Sequence, residues 1–149
     1  MTRQADIAID RAHREAANKA EALDTLARTI WAEARGEGRT GMEAVACVIL
    51  NRVKNPKWWG RDIVTVCKKP WQFSCWNAND PNLSKLLSVT EKDAAFRLAL
   101  EIAGQAMNGE LLDPTGGATS YHTTAISPAW AQSMQLSATI GNHLFYTEA

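Results

Sequence analysis

The stretch "GMEAVACVILNRVK", residues 41–54, constrains the fold more than any other. Met42, Val45, Ala46, Ile49 and Val53 recur at helical spacing and make one apolar stripe. Val48 and Leu50 widen it beyond the arc that a surface helix buries, so this helix is expected at the centre of its domain. Asn55-Pro56 closes it, because a residue before proline is pushed out of the helical region. A helix that is apolar on so many sides has to be surrounded, and the neighbouring segments offer the means.

Upstream, Leu23, Leu26, Ala27, Ile30 and Trp31 share one helical face, and Gly36 and Gly38 stop that helix. Residues 1–20 are rich in alanine and charge and read as a helix of their own. Downstream, "TEKDAAFRLALEIAGQAMNG" is a third strong helix, with Ala95, Leu98, Ala99, Ile102 and Ala106 on its buried side. Thr90 is its expected cap, Asp93 completes an imperfect capping box, and Gly109 is its stop. Residues 56–90 between them look irregular, apart from a short helical turn at 63–67. After the turn "DPTGG", the pieces "ATSYHT" and "SATIGNHLFYTE" suit brief strands but not a large sheet. The expectation is an N-terminal helical extension, 1–22, and one mainly α domain, 23–149, with a small extended C-terminal region.

Sixteen basic residues balance sixteen acidic ones across 149, so no basic face for nucleic acid is expected. No apolar run reaches the roughly 18–20 residues of a membrane span, and the charged start lacks the apolar core of a secretory signal. Cys47 falls within an apolar run and reads as core, while Cys67 and Cys75 are close enough in sequence to bridge if geometry allows. His13, His122 and His143 are scattered without the spacing of a metal site, and there is no GxSxG serine motif. No metal and no cofactor is expected.

Two features carry chemistry. Glu33 projects from near the apolar face of its helix, seven residues after Leu26. One reading pairs it with Arg35 at the surface. The other desolvates it, which raises its pKa toward the range where a carboxyl donates a proton near neutral pH. Glu37, one turn later, reads as a structural carboxylate that binds Arg39 or caps the next helix, or as a second catalytic carboxylate. The other feature is the aromatic loop: Trp58, Trp59, Trp71 and Trp76 fall within nineteen residues, and "PWQFSCWNAND" adds amides and a hydroxyl. Indoles cover the apolar faces of sugar rings while such polar groups bond the hydroxyls, although each tryptophan alone reads equally as a core plug.

"LARTIWAEARGEGRTGMEAVACVILNRV", "WQFSCW", "DPTGGATSYHT" and "TIGNHLFY" together resemble the SleB-type cell-wall hydrolases, from about Leu23 to the C-terminus. The resemblance implies a lysozyme-like fold related to goose-type lysozymes and lytic transglycosylases. It implies cleavage of peptidoglycan between N-acetylmuramic acid and N-acetylglucosamine, with Glu33 as the catalytic acid. Trp71, Gln72, Phe73, Ser74 and Trp76 then fall in the family's loop that approaches the acid, and Thr119 and Tyr121 in its "AT-x-Y" stretch, as substrate-binding residues. His122 receives no role, and Trp130 fits either wall or core.

No second carboxylate has a claim equal to that of Glu33; Glu37, Asp80 and Asp113 are the candidates. A lytic transglycosylase needs none, because the same glutamate then deprotonates the muramic 6-hydroxyl to close a 1,6-anhydro ring. That route is favoured over a hydrolytic muramidase. An N-acetylmuramoyl-L-alanine amidase and a wall-binding protein without turnover are the rivals from other classes. A signal-less catalytic domain of this kind suits a monomeric phage-type endolysin, made in the cytoplasm and reaching the wall by holin-dependent release or particle delivery.

Overall fold

A computed structural model describes residues 2–149. Helix α1, Arg3–Ala34, is one uninterrupted element capped by Thr2, whose hydroxyl accepts from the Ala5 amide at 3.2 Å. The break expected near residue 22 does not exist. The sequence has neither glycine nor proline before Gly36, so alanine and long straight side chains carry the helix through. Burial does change along it: residues 6–21 are exposed, whereas Leu26, Ala27 and Ile30 are fully enclosed. Met1 lies outside the described residues.

Helix α2, Gly38–Lys54, starts three residues earlier than its apolar stripe suggested, because Gly38 takes φ 74° and turns the chain directly out of α1. Its central position is as expected. Met42, Val45 and Ile49 face a core shared with Leu26, Ile30, Phe96 and Ile102, while Ala44 and Val48 face a second cluster with Ala118 and Phe145. The helix is therefore the wall between a helical layer and a small sheet. Cys47, 7 % exposed, is the small core residue its surroundings implied.

The segment 56–90 is more regular than its composition suggested. It holds α3, Ile63–Lys68, whose N-terminus is a reciprocal Asp62–Thr65 capping box, a 3₁₀ turn at Ser74–Trp76, and α4, Asn82–Ser88. Helix α4 went unseen because it is short and buries Leu86 but no extended stripe. Helix α5, Ala94–Met107, packs along α1. Its cap is Asp93, not Thr90: the Asp93 carboxylate accepts from the Phe96 amide at 3.0 Å, and the Thr90 hydroxyl serves the turn before it. Its buried face is correspondingly Phe96, Ala99, Ile102, Ala103 and Ala106.

Strands β1, Ser120–Thr123, β2, Met134–Ile140, and β3, His143–Glu148, form an antiparallel sheet in the order β1-β3-β2. Tyr121 pairs with Phe145, and a bulge lies between Leu136 and Ala138. Among the described residues no helix is long and apolar enough to cross a membrane.

This burial pattern separates two deletions in denaturant unfolding. Removal of residues 2–20 should leave the stability of the domain unchanged, since those side chains cover nothing. Ile102→Ala should cost about 2–5 kcal/mol, because the lost side chain leaves a cavity between α1, α2 and α5.

Candidate active site

Glu33 sits on the last turn of α1, half-buried. The Tyr121 hydroxyl donates to its Oε1 at 2.7 Å, across 88 residues of sequence. Burial pushes the Glu33 carboxyl above its ordinary range; the tyrosine hydrogen bond pulls the other way, and the charge of Asp80 adds to the rise. Arg35 does not neutralise it: that guanidinium lies 4.2 Å from the Trp31 ring centre. Tyr121 is itself pushed well above the usual phenol value, first by burial and then by the Glu33 charge. It therefore keeps its proton, and its role as donor, through the neutral range.

Two consecutive residues of α2 bring Tyr121 into place. Asn51 Nδ2 donates to the Ala118 carbonyl and to Asp113 Oδ2, both at 2.9 Å, and Arg52 Nε donates to the Thr119 carbonyl at 2.6 Å. Asp113 in turn accepts from the Thr115 amide and hydroxyl and from the Gly117 amide, which shapes the expected "DPTGG" turn. Burial alone would raise the Asp113 carboxyl, but these donors outweigh it and hold it below its ordinary value. The Tyr121 ring is then wedged among Phe73, His143 and Phe145.

Beside Tyr121 runs a groove of about 710 Å³ walled by Trp58, Trp59, Trp71, Gln72 and Trp130, with Arg52 and Ser120 among its lining. Trp58 is 60 % exposed and Trp71 76 %, so both indoles present bare faces. Trp71 holds φ 68°, a left-handed conformation that is unfavourable for a bulky residue. Glu33 is not itself part of this lining; it stands one hydrogen bond from it, through Tyr121.

The residues singled out from the sequence divide accordingly. Trp71, Gln72 and Tyr121 line the groove. Phe73, 2 % exposed, is core and supports Tyr121 from beneath. Ser74 is exposed and opens the 3₁₀ turn, outside the groove lining. Trp76 is half-buried, donating from Nε1 to the Thr29 hydroxyl at 2.9 Å, and it too lies outside the groove. Thr119 is buried and engages Arg52 through its carbonyl, while its hydroxyl has no partner among the described residues. Of the four loop tryptophans, Trp58 and Trp71 thus face out, Trp59 is a core plug, and Trp76 is pinned to α1.

Glu37 binds neither Arg39 nor the start of α2. Arg39 pairs with Glu101 at 3.1 Å, and the Glu37 side chain makes no cap bond. Its carboxylate instead reaches the β2–β3 turn, with Oε2 3.5 Å from the Asn142 amide and Oε1 3.9 Å from His143 Nδ1. Gly141 passes so close that a Cβ there would run into Glu37 Oε2. Asp80 accepts from the Asn82 amide at 2.8 Å. Cys67 and Cys75 are buried free thiols, each pushed up by burial, Cys67 to about 12. His122 is enclosed, its Nε2 2.8 Å from the Tyr146 hydroxyl, and Trp130 leans on both rings while lining the groove.

Two contributors were not foreseen. His143, buried edge-on against Tyr121, is remote from Glu33 in sequence and gave no signal. Arg52 did give one: it lies three residues after Ile49 and seven after Val45, on a face otherwise committed to the core.

Residues 36–146 match the profile of a family described as cell wall hydrolase. The chain is 34 % identical over 125 residues to a spore cortex-lytic enzyme of Halalkalibacterium halodurans. That alignment covers 83 % of the chain and 34 % of the relative, so the chain spans about a third of that protein's length. Among solved structures it is similar to the catalytic domain of the germination-specific lytic transglycosylase SleB from Bacillus anthracis. There the TM-score is 0.65 and the identity 28 %, over 85 % of this chain and 93 % of that one. The catalytic domain of the Bacillus cereus SleB protein gives a TM-score of 0.61 at 27 % identity, over 85 % and 89 %. The helical layer and small sheet are those of the lysozyme-like SleB domains, and the chain belongs to the cell wall hydrolase family.

Proposed function

We propose that the chain cleaves the glycan strand of peptidoglycan between N-acetylmuramic acid and N-acetylglucosamine, with Glu33 as acid and then as base. The observation that carries this reading is the Glu33 carboxyl itself: half-buried, raised in pKa, and one hydrogen bond from an aromatic groove. The names of the relatives, a spore cortex-lytic enzyme and a lytic transglycosylase, support the same chemistry.

Tyr121 occupies Oε1, and Oε2 makes no hydrogen bond among the described residues. The protonated carboxyl gives its proton to the glycosidic oxygen as that bond breaks, leaving an oxocarbenium-like muramyl residue. Glu33, now ionised, takes the proton of the muramyl 6-hydroxyl, whose oxygen closes on the anomeric carbon. The product is a 1,6-anhydro ring and Glu33 is protonated again. Trp58 and Trp71 cover sugar faces along the groove, and Gln72 bonds hydroxyls.

The dispositions of the other carboxylates support a single-glutamate route. Asp113 is consumed by four donors, and Glu37 is turned to the β2–β3 hairpin. One observation favours a second reading, the hydrolytic muramidase. Asp80 lies near enough for its charge to raise Glu33, so water activated by Asp80 is the alternative to the 6-hydroxyl.

Purified peptidoglycan tests both. Wild type should solubilise it and Glu33→Gln should not, with a loss of about a hundred- to ten-thousandfold, since acid–base catalysis at one group is worth about 10²–10⁴. Mass spectra showing anhydro-muropeptides establish the transglycosylase; reducing-end muropeptides establish the hydrolase, and free stem peptides an amidase. Retention on the wall without release would mean a binding protein only.

The Tyr121 bond has its own signature. The acid must be protonated to act, so kcat/KM should fall as pH rises through the elevated Glu33 pKa. Tyr121→Phe removes the contact that lowers that pKa, so the alkaline limb should move to higher pH while kcat drops. An unmoved limb would remove Tyr121 from the site.

A further inference from the structure

Arg52 is 7 % exposed and has no carboxylate within ion-pair distance among the described residues. Nε is used on the Thr119 carbonyl, and among the described residues Nη1 is buried without a partner and Nη2 makes no hydrogen bond. The guanidinium lies 5.3 Å from the Trp59 ring centre and 5.4 Å from that of Phe73, which holds its fork in one orientation. Its side chain is part of the groove lining, together with Tyr121 and the exposed indoles of Trp58 and Trp71. The acidic side chain in the same lining, Glu148, is already engaged by Lys57. A buried cation without a counterion is costly, and an arginine fork is the shape that receives a carboxylate through two parallel hydrogen bonds. Clamping Thr119 needs one nitrogen; two remain.

We infer that Arg52 is the floor of an anion subsite in the groove and binds a carboxylate carried on the muramyl side arm of the strand. This rests on the glycan reading above. The arm is a lactyl ether whose acid is either free or amide-linked to a peptide that bears carboxylates of its own. Either source supplies the same planar anion, at a fixed distance from the sugar that the indoles cover. Arg52 thereby selects muramyl-containing strands over neutral polymers of N-acetylglucosamine.

Three substrates read this out: native peptidoglycan, the same material with its carboxylates converted to neutral N-methylamides, and strands stripped of peptide so that only the lactyl acid remains. Binding is measured by co-sedimentation with the Glu33→Gln chain, and cleavage with the unsubstituted chain. Binding and kcat/KM should both fall about 10- to 100-fold on neutralised material, the range of a hydrogen-bonded charge. Arg52→Lys and Arg52→Gln should lose that discrimination and treat the two materials alike. Stripped strands behaving like native ones assign the lactyl acid, and stripped strands behaving like neutralised ones assign the peptide acid. Equal binding of native and neutralised material by a chain with Arg52 intact overturns the inference, without any need for the Arg52 variants to fold. Full discrimination retained by Arg52→Lys and Arg52→Gln overturns it as well. Discrimination in binding with no release from any substrate leaves the anion subsite standing and overturns the glycosidase instead.

Discussion

The last full turn of α2 ties the core to the site. Asn51 and Arg52 grip the carbonyls of Ala118 and Thr119, while on the same helix Val45 and Ile49 are sealed against α1 and α5. Those two clamps set the start of β1, and β1 sets Tyr121. Glu33, at the end of α1, receives the hydroxyl that results. A shift of α2 would therefore be felt at once by the packing of the helices and by the carboxyl. The clamps act on backbone carbonyls that are themselves removed from water, where a lost hydrogen bond costs most.

Electrostatics around Glu33 follow from that packing. Burial raises its pKa, and among the described residues no basic side chain cancels the effect: Arg35 is spent on Trp31 and Arg39 on Glu101. Tyr121 moderates the rise without supplying charge. A neutral donor beside a desolvated carboxyl keeps both protonation states within reach, which acid and base roles in succession require. The charge of Arg52 bears on the Tyr121 phenol, where it opposes the rise that burial and Glu33 produce.

The elbow between α1 and α2 shows how local signals mislead when the partner is distant. Glu37 stands four residues after Glu33 and two before Arg39, which suggested a paired acid or a local ion pair. Its carboxylate meets the β2–β3 turn instead, more than a hundred residues along, where Gly141 leaves room for it. The same reasoning separates the tryptophans. Composition marked the loop as aromatic, but which indoles plug the core and which stay bare depends on how α3 and the 3₁₀ turn settle over α1.

Sequence by itself determined the helices that matter most and the residue to watch. An apolar stripe too wide for a surface helix must be enclosed, a glycine pair must end α1, and a glutamate near the apolar face of that end is a candidate for desolvation, with a surface pairing to Arg35 left open. These are consequences of periodicity and local chemistry, which act over a few residues. Tertiary structure alone decided what meets that glutamate. Tyr121 bonds it from 88 positions away, while His143 and Arg52 act on the tyrosine and its supports, through hydrogen bonds and ring contacts that have no period in the chain. It also decided that Asp93 rather than Thr90 caps α5, since either side chain can cap and packing chose where the first turn begins.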